Sequence, residues 1–259
     1  MKSLPRIAIA TSFLLVTFLA TVASAGPLDD CTEYTKMGIP AERGTLLCRK
    51  GYALAHHSEY KTPEWVAEHL TKEKASAYLP RKDYFKADPD LESGERAELA
   101  DYKGSGFDRG HMAPAADFRW DIEAYKECYY LSNMVPQVGK GMNQGIWADL
   151  EDLVREWATN RGELYIYTGP IYADNIDELR TIGRNEVAVP THLYKIVYDP
   201  KKKEAIAFIM PNEELRTEDM PKYIVTINKI ERETGLDFLS ALSKEEQHKI
   251  ESKKSAHLW

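Results

Sequence analysis

The sequence holds only 3 cysteines in 259 residues, too few to build a fold from disulfides. Glycine (15) and proline (13) are not in excess, which excludes collagen-like and low-complexity architectures. Positive charge is in deficit: 34 Lys+Arg stand against 41 Asp+Glu, for a net charge of -7. Bulk charge therefore cannot coat a polyanion, although a local anion-binding cleft is compatible with it. Beyond residue 28 no long hydrophobic run remains, so a polytopic membrane protein is excluded. Nor does any internal repeat or low-complexity linker follow residue 25. What is present, 43% apolar and 29% charged residues, is an ordinary globular balance.

The first segment reads as an address. Lys2 and Arg6 precede an uncharged stretch from Ile7 to Leu28, and Ala23-Ser24-Ala25 offers small residues where a signal peptidase cuts. Residues 1–25 are expected to be a signal peptide cleaved after Ala25, with an uncleaved membrane anchor as the alternative. A short extension, residues 26–47, would follow, and one domain would occupy residues 48–259. The expected destination is a periplasm or the extracellular space. In an oxidising compartment Cys31 and Cys48 are candidates to pair, while Cys128, in an apolar run, reads as a buried thiol. The sequence leaves other pairings open.

Periodicity supplies the elements. Tyr52 to His56 reads as a strand, and Thr62 to Leu70 as a helix with Thr62 as N-cap and Pro63 in its first position. Residues 80–107 lack a period and read as a long loop of the kind that carries function. Tyr129 to Met134 is a strand candidate. Asn143 to Thr159 is the clearest helix, with Ile146, Leu150, Leu153, Val154 and Trp157 on one face. Leu164 to Thr168 is expected to be a strand ended by Gly169-Pro170, and His192–Tyr198 with Glu204–Ile209 a hairpin. Tyr223 to Thr234 reads as a helix stopped by Gly235, and Ser243-Lys244-Glu245-Glu246 as a capping box opening a last helix. Strands and helices mix without βαβ alternation, so the class is α+β, a mixed or antiparallel sheet flanked by helices.

Chemistry concentrates in Gly106-Phe107-Asp108-Arg109-Gly110-His111. A neutral imidazole at 111 can take a proton from water near pH 7. The guanidinium of Arg109 can hold an anion by two parallel hydrogen bonds, and Gly110 would let the backbone turn. Downstream, Asn143 is a natural helix cap whose amide oxygen also suits a hard cation. Asn143, Trp147, Glu151 and Arg155 advance by four along one helical face. Eight residues of helix rise about 12 Å, so Asn143 and Glu151 are not expected to ligate one ion together. Taken alone, Glu151 and Arg155 also fit an exposed ion pair of small value. The adjacent His56-His57 would point to opposite strand faces and form no joint site. Lys201-Lys202-Lys203, Lys222, Lys229 and Arg232 read as solvated surface.

Asp108-Arg109-Gly110-His111, then Asn133 with Pro136-Gln137, then Asn143-Gln144-Gly145, Trp147 and Leu150-Glu151, together resemble the DNA/RNA non-specific endonucleases. The resemblance runs from about residue 48 to about 245. It implies a ββα-metal active-site motif and hydrolysis of DNA and RNA without sequence specificity. By the same resemblance, His111 is the general base, Asn143 the one side chain directly on Mg2+ (Mn2+ substituting), and Glu151 the acid that orients water beyond the metal. Arg109 and Arg155 would hold phosphates, and Arg81 in the long loop would join the catalytic group. A catalytically silent nucleic-acid-binding protein and a small-substrate phosphodiesterase are the competing functions. The oligomeric state stays open, a homodimer included.

Overall fold

The computed structural model describes residues 26–173 and 178–259. The leader, residues 1–25, lies outside the described residues. The strands are β1 (Thr45–Cys48), β2 (Tyr52–His57), β3 (Thr62–Thr71), β4 (Asp108–His111), β5 (Met134–Gln137), β6 (Glu163–Ile171), β7 (Thr181–Ile182), β8 (Val187–Ala188), β9 (His192–Asp199), β10 (Glu204–Pro211) and β11 (Ile224–Val225). The helices are α1 (Lys72–Ala75), α2 (Leu99–Tyr102), α3 (Ile122–Glu127), α4 (Trp147–Arg161), α5 (Ile227–Thr234) and α6 (Lys244–Glu251). None of the described helices is long and apolar enough to cross a membrane.

A seven-stranded sheet in the order β1-β2-β3-β6-β9-β10-β11 divides the molecule, with every neighbouring pair antiparallel. Strand side chains alternate between faces, so each central strand feeds two cores. Leu54, Val66, Leu164, Ile166, Leu193 and Val197 pack with Trp147, Leu150, Val154 and Trp157 of α4. Ala53, Trp65, Tyr165, Tyr167, Tyr194 and Ile196 pack on the other side with Ile230 of α5, Phe238 and Ile250 of α6. Leu28, Tyr34 and Met37 join that second core, and a Cys31–Cys48 disulfide ties their segment to β1, with Cα atoms 5.6 Å apart. Cys128 is a buried free thiol. The α+β class is thus realised, with helices on both faces of an antiparallel sheet.

Several elements depart from the periodic reading. Thr62–Thr71 is a strand, not a helix. Pro63 lies where the β2–β3 register shifts at Ala55/His56, a bulge that leaves Glu64 unpaired and spares the ladder the missing N–H. Thr62 and Pro63 resemble a helix start, yet pairing between β2 and β6 favours the aromatic and β-branched Trp65-Val66 as strand. β6 runs through Gly169-Pro170 to Ile171, because beyond Thr168 only β9 pairs with it there. At Leu131–Asn133 the chain makes a tight helical turn, and the strand begins only at Met134. Asn133 causes this: its Oδ1 accepts from Ala113 N at 3.0 Å, and its Nδ2 donates to the Ala113 and Cys128 carbonyls.

α4 starts at Trp147. Ahead of it, Gly139–Ile146 is an irregular wound segment, with Gly141 at φ 77° and Gly145 at φ -141°, ψ -119°. Asn143 therefore does not cap α4. The expected helix from Tyr223 begins at Ile227, after β11, and Gly235 at φ 69° closes it. The β9–β10 hairpin and the Ser243 cap, accepting from Glu246 N, match expectation.

Candidate active site

β4 and β5 form a two-stranded hairpin-like pair in which Asp108 faces Gln137 and His111 faces Met134. With α4 they make a ββ-then-helix unit against the large sheet. Gly110 is not a turn but an inner strand position. A Cβ there would lie 2.0 Å from Gln137 Oε1, so only glycine lets the two strands close.

His111, at the end of β4, sits edge-on to the Tyr129 ring (5.1 Å, 87°) and beside Phe85 (5.5 Å). Its Nε2 is buried and has no hydrogen-bond partner. Burial, reinforced by the positive charges of Arg81 and Arg109, pushes its pKa down to about 3. The imidazole is neutral at pH 7 and ready to accept a proton. Arg109 stacks 3.9 Å over the Phe85 ring, and Arg81 is largely exposed with Asp83 at 3.7 Å.

Asn143 Nδ2 donates to Asp108 Oδ2 at 2.9 Å, and Gln144 Nε2 reaches the same oxygen at 2.7 Å. The donor end of Asn143 is thereby committed, and its carbonyl oxygen is left for another partner. Glu151 stands on α4, where burial pushes its pKa up to about 7 against the opposing pull of Lys195 and Arg155. Arg155 does not enter the cleft. It donates to Asp117 at 2.7 Å and to Asp152 rather than forming a simple pair with Glu151. Beneath Glu151 lies Lys195, 1% exposed, whose Nζ donates to Thr168 Oγ1 at 2.8 Å and to the Met112 carbonyl at 3.4 Å.

The cleft these residues bound has a volume of about 940 Å3 and is lined by Arg81, Arg109, His111, Asn143 and Glu151 together, with Phe85 and Arg119 beside them. Five of the six candidates thus share one cavity, and its arginines offset the acidity of the whole chain locally. Sequence reasoning missed Asp108 as the brace of Asn143, Asp117 as the partner of Arg155, and the buried Glu68 and Lys195. Parity could have found the last two. Lys195 lies between Leu193 and Val197, and Glu68 between Val66 and Leu70, each a charge on an inward apolar stripe.

The family model described as DNA/RNA non-specific endonuclease matches residues 31–245. The chain belongs to this family. Nuclease C1 of Cunninghamella echinulata var. echinulata is 37% identical over 220 residues, covering 80% of this chain and 87% of the relative. Mitochondrial nuclease of Saccharomyces cerevisiae is 35% identical, covering 81% and 70%. Human mitochondrial endonuclease G is 34% identical, covering 80% and 73%. A crystal structure of the EndoG/EndoGI complex, which concerns EndoG inhibition, superposes with a TM-score of 0.79 at 32% identity, covering 90% of this chain and 99% of that one. The family is one of metal-dependent nucleases, and this chain is a DNA/RNA endonuclease with a ββα-metal fold.

These relatives overturn the expected destination. The nucleases of budding yeast, fission yeast and human are named mitochondrial, which points to mitochondria rather than a periplasm or the extracellular space. The apolar leader was read as a secretory address, and the mitochondrial names of these relatives are what speaks against that reading.

Proposed function

We propose that this chain is a Mg2+-dependent endonuclease, with Mn2+ able to substitute, that cleaves DNA and RNA through backbone recognition alone. The observation that carries this reading is the pairing, in one cleft, of an unpartnered buried His111 Nε2 with an Asn143 whose Nδ2 is already spent on Asp108.

The residues fit a hard divalent ion. Asn143 offers a neutral oxygen with its orientation set by Asp108, and Glu151 offers a carboxylate for outer-sphere contact. Bound there, Mg2+ would supply undiminished positive charge to stabilise the phosphorane-like transition state and the departing 3′ oxygen.

The chain's own groups do the rest. His111 Nε2 takes the proton of the attacking water. Tyr129 and Phe85 fix the ring, and the buried setting keeps it neutral. Arg109, braced on Phe85, and Arg81 at the rim neutralise phosphate charge and hold the strand in register. Glu151 orients water within the cleft. Arg155, held by Asp117 and Asp152, acts through the buried charge layer that supports Glu151 rather than on phosphate directly. Phosphate contacts carry no base code, so any sequence is accepted. Water attack with 3′-oxygen departure leaves 5′-phosphate ends.

Purified protein is tested on circular single-stranded DNA, duplex plasmid and RNA. Cleavage of all three that stops with EDTA and falls by at least about 1,000-fold in His111→Ala supports the reading. Cleavage unaffected by EDTA, or wild-type rates in His111→Ala, would overturn it. Absence of turnover with retained nucleic-acid affinity would favour the silent binder.

A further inference from the structure

On the sheet face opposite the cleft, three carboxylates converge. Glu231 of α5, Asp237 in the following connection and Glu251 at the end of α6 each present an oxygen, and these oxygens lie within 4.8 Å of one another. Local hydrogen bonds shape the cluster. Phe238 N donates to Glu231 Oε1 at 3.0 Å, and Gln247 Nε2 donates to Asp237 Oδ1 at 3.0 Å and to the Phe238 carbonyl at 2.7 Å. Glu251 is only 6% exposed, and its Oε1 is buried with no hydrogen-bond partner. An orphaned carboxylate oxygen in a protein interior is costly, and two further acids beside it increase the cost. The nearest cation is Lys244, whose exposed amine stands 3.5 Å from Asp237 Oδ2, on the outer side of the cluster. Burial and the charges of Glu231 and Asp237 push the Glu251 carboxyl up to about 7, against the pull of Gln247 and Lys244.

We infer that Glu231, Asp237 and Glu251 form a Ca2+ site that staples α5 to α6, separate from the catalytic metal site. The donor set is all oxygen, without imidazole or thiolate, as a hard cation requires. Ca2+ accepts irregular carboxylate cages, whereas Mg2+ demands near-ideal octahedral geometry and keeps most of its waters, so three protein carboxylates within 4.8 Å of one another suit the larger ion. Waters would fill the open side at Asp237. The bound ion would also fix the Glu231–Phe238 link, and with it the Phe238 ring packed against Tyr167 and Tyr194 on the central strands.

The test uses full-length protein carrying Asn143→Ala, so that the catalytic cleft contributes no metal signal. CaCl2 at millimolar concentration is expected to raise the thermal midpoint by about 3–6 °C, and MgCl2 at equal concentration by less. Adding Glu251→Gln should abolish the Ca2+ shift while leaving the calcium-free midpoint equal or higher, since the near-isosteric amide removes like charge. Glu251→Gln alone should retain Mg2+-supported cleavage. Terbium titration should report one site in Asn143→Ala and none after Glu231→Gln and Glu251→Gln are added. An unchanged Ca2+ shift in the Glu251→Gln background, equal shifts from Mg2+ and Ca2+, or no shift in the Asn143→Ala parent would overturn the inference.

Discussion

Asp108 Oδ2 receives both the Asn143 amide at 2.9 Å and the Gln144 amide at 2.7 Å, so the strand that ends in His111 also sets the orientation of Asn143. The two halves of the cleft are coupled through this one carboxylate. Asp108→Ala frees the amide to rotate and present nitrogen where oxygen is needed. Loss of such an outer-shell brace is expected to cost about 10–100-fold in activity. The loss should be partly recovered at high Mg2+ concentration, and a metal titration of initial rates in wild type and variant checks it.

His111 supplies a pH prediction with a definite sign. Its pKa in the fold, about 3, lies below the ordinary 6.5, so the neutral ring is the form the fold favours. Its contribution to stability is complete above pH 6.5 and is lost as pH falls from there toward 3. Wild type should therefore lose denaturant resistance more steeply between pH 6.5 and 4 than His111→Gln. The acid limb of kcat/KM should lie below pH 6.5. A limb at or above that value would contradict the burial of the ring.

Glu151 has the opposite sign. A carboxyl raised from 4.5 to about 7 is favoured when protonated, so its contribution is complete below pH 4.5 and is lost as pH rises through 7. Glu151→Gln is expected to unfold later than wild type at pH 8 by about 1–3 kcal/mol and to match it at pH 4. The same variant should lose at least about 100-fold in cleavage rate. Thermal melts at the two pH values, with a parallel rate assay, check both.

Lys195 and Glu68 extend the argument into the sheet. Thr168 faces Lys195 across β6–β9, and Glu68 lies one strand further on the same face. Burial pulls the lysine pKa down, and the acids around it oppose that pull. Burial pushes the Glu68 carboxyl well above its ordinary range against the pull of Lys195, so Lys195→Met alone should destabilise more than Lys195→Met with Glu68→Leu. Urea midpoints of the single and double variants measure this coupling. Equal loss in both would show that the two side chains act independently.

How much was readable depends on the range of the force involved. The β9–β10 hairpin, the Ser243 cap and the Gly235 stop follow from neighbours a few residues apart, and local chemistry specified them. The cluster Asp108-Arg109-Gly110-His111 with Asn143 and Glu151 was visible as residue types at fixed spacing. Thr62–Leu70 was misread because an N-cap and an early proline resemble a helix start. Only pairing with β2 and β6 on both sides, with a bulge to absorb Pro63, makes it a strand.

By itself, then, the amino-acid order determined the α+β class, the family motif and most of the residue types that line the cleft. Tertiary structure alone decided that Arg155 turns to Asp117 instead of the cleft, that Gly110 serves closeness to Gln137 rather than a turn, and that Glu231, Asp237 and Glu251 share a pocket. The reason is physical: pattern and propensity act along the chain, whereas desolvation, packing and charge pairing act through space between segments far apart in sequence.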